Sequence, residues 1–202
     1  TRLTDVTGVQ TCALPISYRS RRMNQAKAIA EALGHYHAYR SKYGASSVAH
    51  RIPVMRKQGN AFVVRDSTGD MRFHYFTKGV KKLVIELELK EVVIFLVHLA
   101  LGGRVRSHQM HDLYALVKAA RKPVIVAGDF NTLWGEHEIR LFVAACGLTS
   151  ADARNHPSFP SWKPKRHLDF ILHGPGITID RFEIPKVQLS DHLPLVCDFH
   201  VG

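Results

Sequence analysis

Four short stretches place residues that can do chemistry at the ends of apolar runs. In Val124-Ile-Val-Ala-Gly-Asp-Phe-Asn131 the run stops at Gly128 and presents Asp129 and Asn131. Side chains at i and i+2 of a strand share a face, so a carboxylate and an amide stand side by side. Such a pair can orient a nucleophilic water, ligate a divalent cation and donate to a phosphoryl oxygen. It equally suits a turn capping the next helix, because Asp and Asn favour caps and turns.

Leu189-Ser-Asp-His-Leu-Pro-Leu195 adds Asp191, a hard oxygen ligand, and His192, an imidazole able to act as base near neutral pH. Arg166-His-Leu-Asp-Phe-Ile171 adds Asp169, suited to fixing a histidine tautomer by accepting from its ring N–H. His98 closes Phe95-Leu-Val-His98; a single histidine there fits a satisfied core position as well as a catalyst.

The elements that must position these residues follow from periodicity. Ala26, Ile29, Ala30 and Leu33 recur at helical spacing, with Gly34 as C-cap, which predicts a helix over Asn24–Leu33. Phe62–Val64, Phe73–Phe76, Leu83–Leu89 and Val92–Leu99 read as strands, the last two a hairpin turning at Lys90-Glu91. Ser107–Ala120 and Glu136–Cys146 read as helices, the second closed by Gly147. Val124–Ala127 is a compact buried strand, and Leu168–Leu172, Thr178–Glu183 and Leu195–Val201 are the closing strands. Mixed helices and hairpins predict an α+β fold, two packed sheets with helices outside.

At 202 residues, with 46% hydrophobic and 22% charged residues, the chain suits one buried domain rather than a disordered or fibrous protein. Lys and Arg exceed Asp and Glu by 28 to 17, a net +11, which favours an anionic partner without choosing among nucleic acid, phosphorylated metabolites and acidic membranes. Cys12, Cys146 and Cys197 are too scattered for a disulfide framework or a Cys-rich zinc site, which fits a reducing compartment and a cytoplasmic location. No apolar run reaches the ~20 residues of a membrane helix.

The first residues lack usable periodicity. Val6–Ile16 resembles, at every position, one translated frame of a sequencing-library adapter, so residues 1–16 are read as a non-native segment and 17–202 as the domain.

The ordered motifs resemble the endonuclease/exonuclease/phosphatase superfamily of DNase-I-like enzymes. That family runs a strand ending in His, an Arg-x-x-Gln helix start, Gly-Asp-Phe-Asn, Asp-Tyr-Ile and Ser-Asp-His. Here stand His98, Arg106 with Gln109, Gly128 to Asn131, Asp169-Phe-Ile171 and Ser190 to His192, a resemblance spanning about residues 19–202.

The resemblance implies a four-layer α/β/β/α sandwich and a divalent-metal-dependent phosphoesterase, of phosphodiesterase or nuclease type, acting through in-line attack of water. It implies His192 as base held by Asp169, Asp191 as a ligand of Mg²⁺ or Mn²⁺, and Asp129 and Asn131 as water-positioning groups that could also touch the metal. Asn131 and His98 would donate to phosphoryl oxygens, and Asn60, Arg106 and Trp162 would contact substrate. A monomer acting on a phosphorylated substrate, nucleic acid included, is expected. Two departures stand out: His167 replaces a usual Arg, and Phe170 replaces the Tyr. The family's first-strand Asn and the Leu-Gln-Glu of its second strand, with the main metal-binding Glu, have no counterpart. A chain so shortened is expected to bind Mg²⁺ poorly and to turn over weakly.

Three other readings compete. A zinc hydrolase lacks His-Glu-x-x-His, and a serine hydrolase using Ser190 lacks a Gly-x-Ser-x-Gly elbow. A non-catalytic nucleic-acid-binding module would rest on Arg19, Arg21, Arg22, Arg51, Arg56, Lys57, Lys163, Lys165 and Arg166, residues that also suit plain solvated faces. Val54–Asn60 and the loop Ser158–Pro164, with Trp162 available for stacking, are expected to line the cleft.

Overall fold

The computed structural model describes residues 25–41, 59–65, 69–188 and 190–202. Val54 to Gln58, Val6–Ile16 and the arginines and lysine at 19, 21, 22, 51, 56 and 57 lie outside them.

In chain order the described elements are α1 (Gln25–Leu33), β1 (Tyr36–Ser41), β2 (Gly59–Val64), β3 (Asp70–Tyr75), β4 (Leu83–Glu88) and β5 (Val93–His98). Then come α2 (Gly103–Ala119), β6 (Val124–Asp129), α3 (Arg140–Cys146), β7 (Thr149–Ser150), β8 (Asp169–His173), β9 (Ile177–Glu183) and β10 (Val196–Val201). Six strands form one mixed sheet in the order β3-β4-β5-β6-β8-β7, while β1-β2 and β9-β10 form two separate antiparallel pairs. The expected hairpin is present: Leu89 N–H donates to Val92 O at 2.9 Å across the turn.

The six-stranded sheet is buried on both faces because its central strands β5 and β6 are apolar up to their polar last residues, His98 and Asp129. On one face Phe95 and Val97 of β5, Val126 of β6 and Phe170 of β8 pack against Leu113 and Val117 of α2 and Phe142 of α3. On the other, Ile94, Leu96 and Ile125 meet Phe62 and Val64 of β2 and Ile177 of β9, with Phe199 of β10 beside them. Alternation along a strand thus sends odd and even residues into two different cores. With α1 against β1 and β2, the layers are α/β/β/α, as the resemblance implied.

Two local readings change. The expected helix over Glu136–Cys146 is a 3₁₀ turn at Glu136–Glu138 followed by α3. Its first turn is tightened by three-residue bonds, Glu138 N–H to Gly135 O and Ile139 N–H to Glu136 O. Strand β1 was not expected, since Tyr-His-Ala-Tyr-Arg-Ser carries no apolar alternation; its pairing with β2 is what makes it a strand.

Candidate active site

Strand register assembles the site. β5 and β6 run parallel, so their C-terminal ends coincide and His98 pairs with Asp129. β8 runs antiparallel to β6, so its first residue, Asp169, pairs with Asp129 from the other side. Residues opposite each other on neighbouring strands lie within side-chain reach. His98, Asp129 and Asp169 therefore form one row across three strands, at the sheet end and on the face turned toward the second β layer.

The backbone leaves the row abruptly. Gly128 has φ 144° and Asn131 φ 52°, left-handed values that Gly accepts freely and Asn tolerates. Asn131 then folds back: its N–H donates to Asp129 Oδ1 at 2.9 Å, and its side-chain amide donates to Leu99 O at 2.8 Å and Asp129 Oδ2 at 3.1 Å. Both amide hydrogens are thus used inside the protein. Asn131, expected to donate to a phosphoryl oxygen, instead orients Asp129.

Asp129 is 3% exposed. Burial first, and then the charge of Asp169, push its carboxyl up to about 6. Its Oδ2 lies 3.5 Å from His98 Nε2, and the Lys81 ammonium lies against that same ring nitrogen. Lys81 was missed in the sequence because Lys81-Lys82 in a turn looks like any solvated basic pair. The turn is in fact fixed by buried Gln109 of α2, whose amide donates to Lys81 O at 2.6 Å and Lys78 O at 3.1 Å.

Asp169 is a shared acceptor. Its Oδ2 receives His192 Nδ1 at 2.7 Å and the Ser158 hydroxyl at 2.5 Å. Burial disfavours the His192 imidazolium, but the Asp169 hydrogen bond and the charges of Asp169, Asp129 and Asp191 outweigh it, so the His192 pKa is raised. The loop carrying Ser158 is bolted to the His192 loop: Leu193 N–H donates to Ser158 O, Ser161 N–H to Asp191 O, and the Ser161 hydroxyl to Ser190 O. Phe159 packs its ring 4.8 Å from the His192 ring. Ser158 and Ser161 are fixing residues that sequence reading passed over, since buried serines have no pattern of their own.

The remaining expectations divide. Asp191 is exposed at the rim, its carboxylate taking the Ser190 hydroxyl at 3.0 Å. Asn60 is fully buried on β2, sharing the strand face of Phe62 and Val64, and neither its amide nitrogen nor its oxygen has a partner among the described residues. Trp162 is 66% exposed on the Ser158 loop. Arg106 is a correction. It is 0% exposed, donates to Ala100 O and Leu101 O, and pairs with Glu138. A guanidinium so enclosed anchors the segment after His98 and cannot reach a substrate.

Asp129, Asp169 and His192 each offer a ligand atom within 4.8 Å of the others. Hard carboxylate oxygens beside an imidazole, with the Asp129 carboxyl raised to about 6 by burial and by the charge of Asp169, make a donor set that a divalent cation fits.

Fold and site together define an α/β/β/α sandwich with a carboxylate–imidazole centre at one end of its sheets. The chain belongs to the Endonuclease/Exonuclease/phosphatase family, whose pattern matches residues 18–192. It is 34% identical over 115 residues to a UPF0294 protein of Yersinia pseudotuberculosis, a match that covers 55% of this chain and 42% of that protein. It is 31% identical over 132 residues to Nocturnin of Homo sapiens, covering 48% of this chain and 30% of that one. The chain thus spans less than half the length of these relatives. Among solved structures, an endonuclease/exonuclease/phosphatase of Bacteroides vulgatus superposes with TM-score 0.71 at 15% identity, covering 98% of this chain and 85% of its own.

Proposed function

We propose that this site hydrolyses a phosphate ester by in-line attack of water, with His192 as general base and a divalent cation, Mg²⁺ or Mn²⁺, bound among the carboxylates. The observation that carries the reading is the Asp169–His192 pair facing buried Asp129 at the strand ends. By accepting from Nδ1–H, Asp169 leaves the Nε2 lone pair of His192 to take the proton of a water. Ser158 holds the same Asp169 oxygen and keeps the carboxylate from rotating. Asp129, fixed by Asn131, and Asp191 at the rim would hold the cation. Such an ion, when bound, polarises the phosphoryl group and neutralises charge that builds on its oxygens. His98 and the Lys81 ammonium would supply donors to the equatorial oxygens.

The test is hydrolysis of bis(p-nitrophenyl) phosphate and p-nitrophenyl phosphate by the whole chain after chelation and on return of Mg²⁺ or Mn²⁺. We expect weak activity, present only with the ion, and a fall in kcat of ~10²- to 10⁴-fold in His192→Ala. Hydrolysis that survives chelation, or that His192→Ala leaves intact, would overturn the reading.

A further inference from the structure

Outside the catalytic row, the same end of the sheet carries three large apolar side chains that the fold leaves in water. Leu101 is 56% exposed, Trp134 76% and Leu141 82%. Single exposed apolar residues are ordinary on a protein surface, whereas a group of them marks a contact surface. These three form a group because one ion pair ties their segments together. Arg106 of α2 donates to Leu101 O at 2.8 Å and pairs with Glu138, whose other carboxylate oxygen accepts the Trp134 N–H at 2.9 Å. Leu141 lies three residues past Glu138, at the start of α3, and α3 packs against α2. The Arg106–Glu138 pair fixes the backbones and leaves the three side chains open to solvent.

The surroundings are basic. Between Leu101 and Leu148 the acids are Asp112, Asp129, Glu136 and Glu138, and none of them is exposed. Asp112 accepts from the Thr77 N–H and hydroxyl, Glu136 faces His167, and Glu138 is taken by Arg106. Arg104, close to Leu101, and Arg140, next to Leu141, are both exposed. Only Gly102 and Gly103 separate Leu101 from Arg104, so no side chain between them holds the surface away from a flat partner.

Leucine and tryptophan tips set among arginines match an anionic bilayer. Indole and aliphatic side chains enter the boundary between headgroups and acyl chains, while neighbouring arginines meet anionic lipid phosphates. A nucleic acid would engage Arg104 and Arg140 but would gain nothing from Leu101 and Leu141. A protein partner needs about 800 Å² of matched surface on each side, whereas these tips stand on three separate segments with glycines and arginines between them. We propose that this face, formed by the loops after β5 and β6 and the start of α3, docks on an anionic membrane surface. Leu101, Trp134 and Leu141 enter the interface, and Arg104 and Arg140 hold the headgroups. Docking brings the sheet end that carries His98 and Asp129 to the membrane, and it does not depend on hydrolysis at His192.

The experiment is co-sedimentation of the whole chain with vesicles of phosphatidylcholine containing about one-third phosphatidylserine, and with phosphatidylcholine alone, in chelator so that no turnover intervenes. Binding should require the anionic lipid and fall about tenfold in Leu141→Ser, in Trp134→Ser and in Arg140→Glu. Two controls should stay within about twofold: Leu33→Ser on α1, the outer helix of the opposite layer, and Lys90→Glu at the far end of the strands, both at exposed positions. In Trp162→Phe, where Trp134 is the one indole left of two, emission should move to the blue on anionic vesicles. No sedimentation with the anionic vesicles, equal binding to both kinds, or equal loss in Leu33→Ser or Lys90→Glu would overturn the proposal. So would loss in Arg140→Glu with Leu141→Ser and Trp134→Ser unaffected, the pattern of a surface for any polyanion. Self-association that Leu141→Ser abolishes, without vesicle binding, would also overturn it and assign the face to a second copy of the chain. His192→Ala should bind vesicles like the unaltered chain, so the docking surface and the hydrolytic reading fail independently.

Discussion

Two aspartates of this chain expose nearly the same small surface, Asp129 lying the deeper, and behave in opposite ways. Asp129 is 3% exposed and Asp152 4%, so burial raises both carboxyls. Asp152 is met by donors: Arg154 N–H at 3.1 Å, His156 N–H at 2.6 Å and His156 Nδ1 at 2.9 Å. Those contacts overcome the burial and hold its pKa below the ordinary carboxylate range. Asp129 takes two donations from Asn131, with the His98 ring nitrogen at 3.5 Å, and it faces another carboxylate, Asp169. Its carboxyl rises to about 6. Burial sets the stakes for a charge, and the neighbours decide the sign. A satisfied carboxylate closes a turn, whereas an under-compensated one is held ready for a cation.

Replacing each aspartate sharpens the contrast. Asp129→Asn should lower kcat/KM for phosphoester hydrolysis in Mg²⁺ by about 10³-fold, roughly 4 kcal/mol of barrier, with no loss in the urea midpoint at neutral pH. A variant that stays active, or unfolds more readily, would put Asp129 in the same class as Asp152. Asp152→Ala should do the converse. It strands the amides of Arg154 and His156 and should lower the unfolding free energy by about 2 kcal/mol, with kcat/KM within about twofold. Equilibrium denaturation with steady-state kinetics on the same sample reads both.

The last expected effect is in pH. The folded protein keeps the Asp129 proton up to about 6, while the unfolded chain releases it near 3.8. Stability from this group is therefore present below the unfolded value and lost as pH rises through about 6. For Asp152, with its depressed folded value, stability is present above the ordinary range and lost as pH falls. Metal-free protein should lose about 2 kcal/mol between pH ~4 and ~7 relative to Asp129→Asn, and Mg²⁺ should restore it at the upper end. Identical pH curves for the two proteins would remove the distinction between the aspartates.

Much of this arrangement is visible in the order of residues. Apolar runs that begin or end in Asp, Asn or His mark strands whose polar ends must leave the core, and those runs became β5, β6 and β8. What escapes such reading depends on partners distant in the chain. β1 has no apolar alternation and exists by pairing with β2. Lys81 gains its place from Gln109 on another element. Arg106 sits in a helix-start motif that implies substrate contact, yet Glu138, far along the chain, encloses it. Ser158 looks like a loop serine until Asp169 and His192 converge on it.

The sequence by itself determined the strand ends and which reactive residues they carry, because alternation and turn chemistry are local properties of the chain. Only the tertiary structure decided that His98, Asp129 and Asp169 stand in one row, since that depends on a parallel pairing on one side of β6 and an antiparallel one on the other. It likewise decided that Asp129 carries a strained charge and Asp152 a satisfied one. Local sequence records that an aspartate is present, but its charge state is set by the donors and carboxylates that folding brings around it.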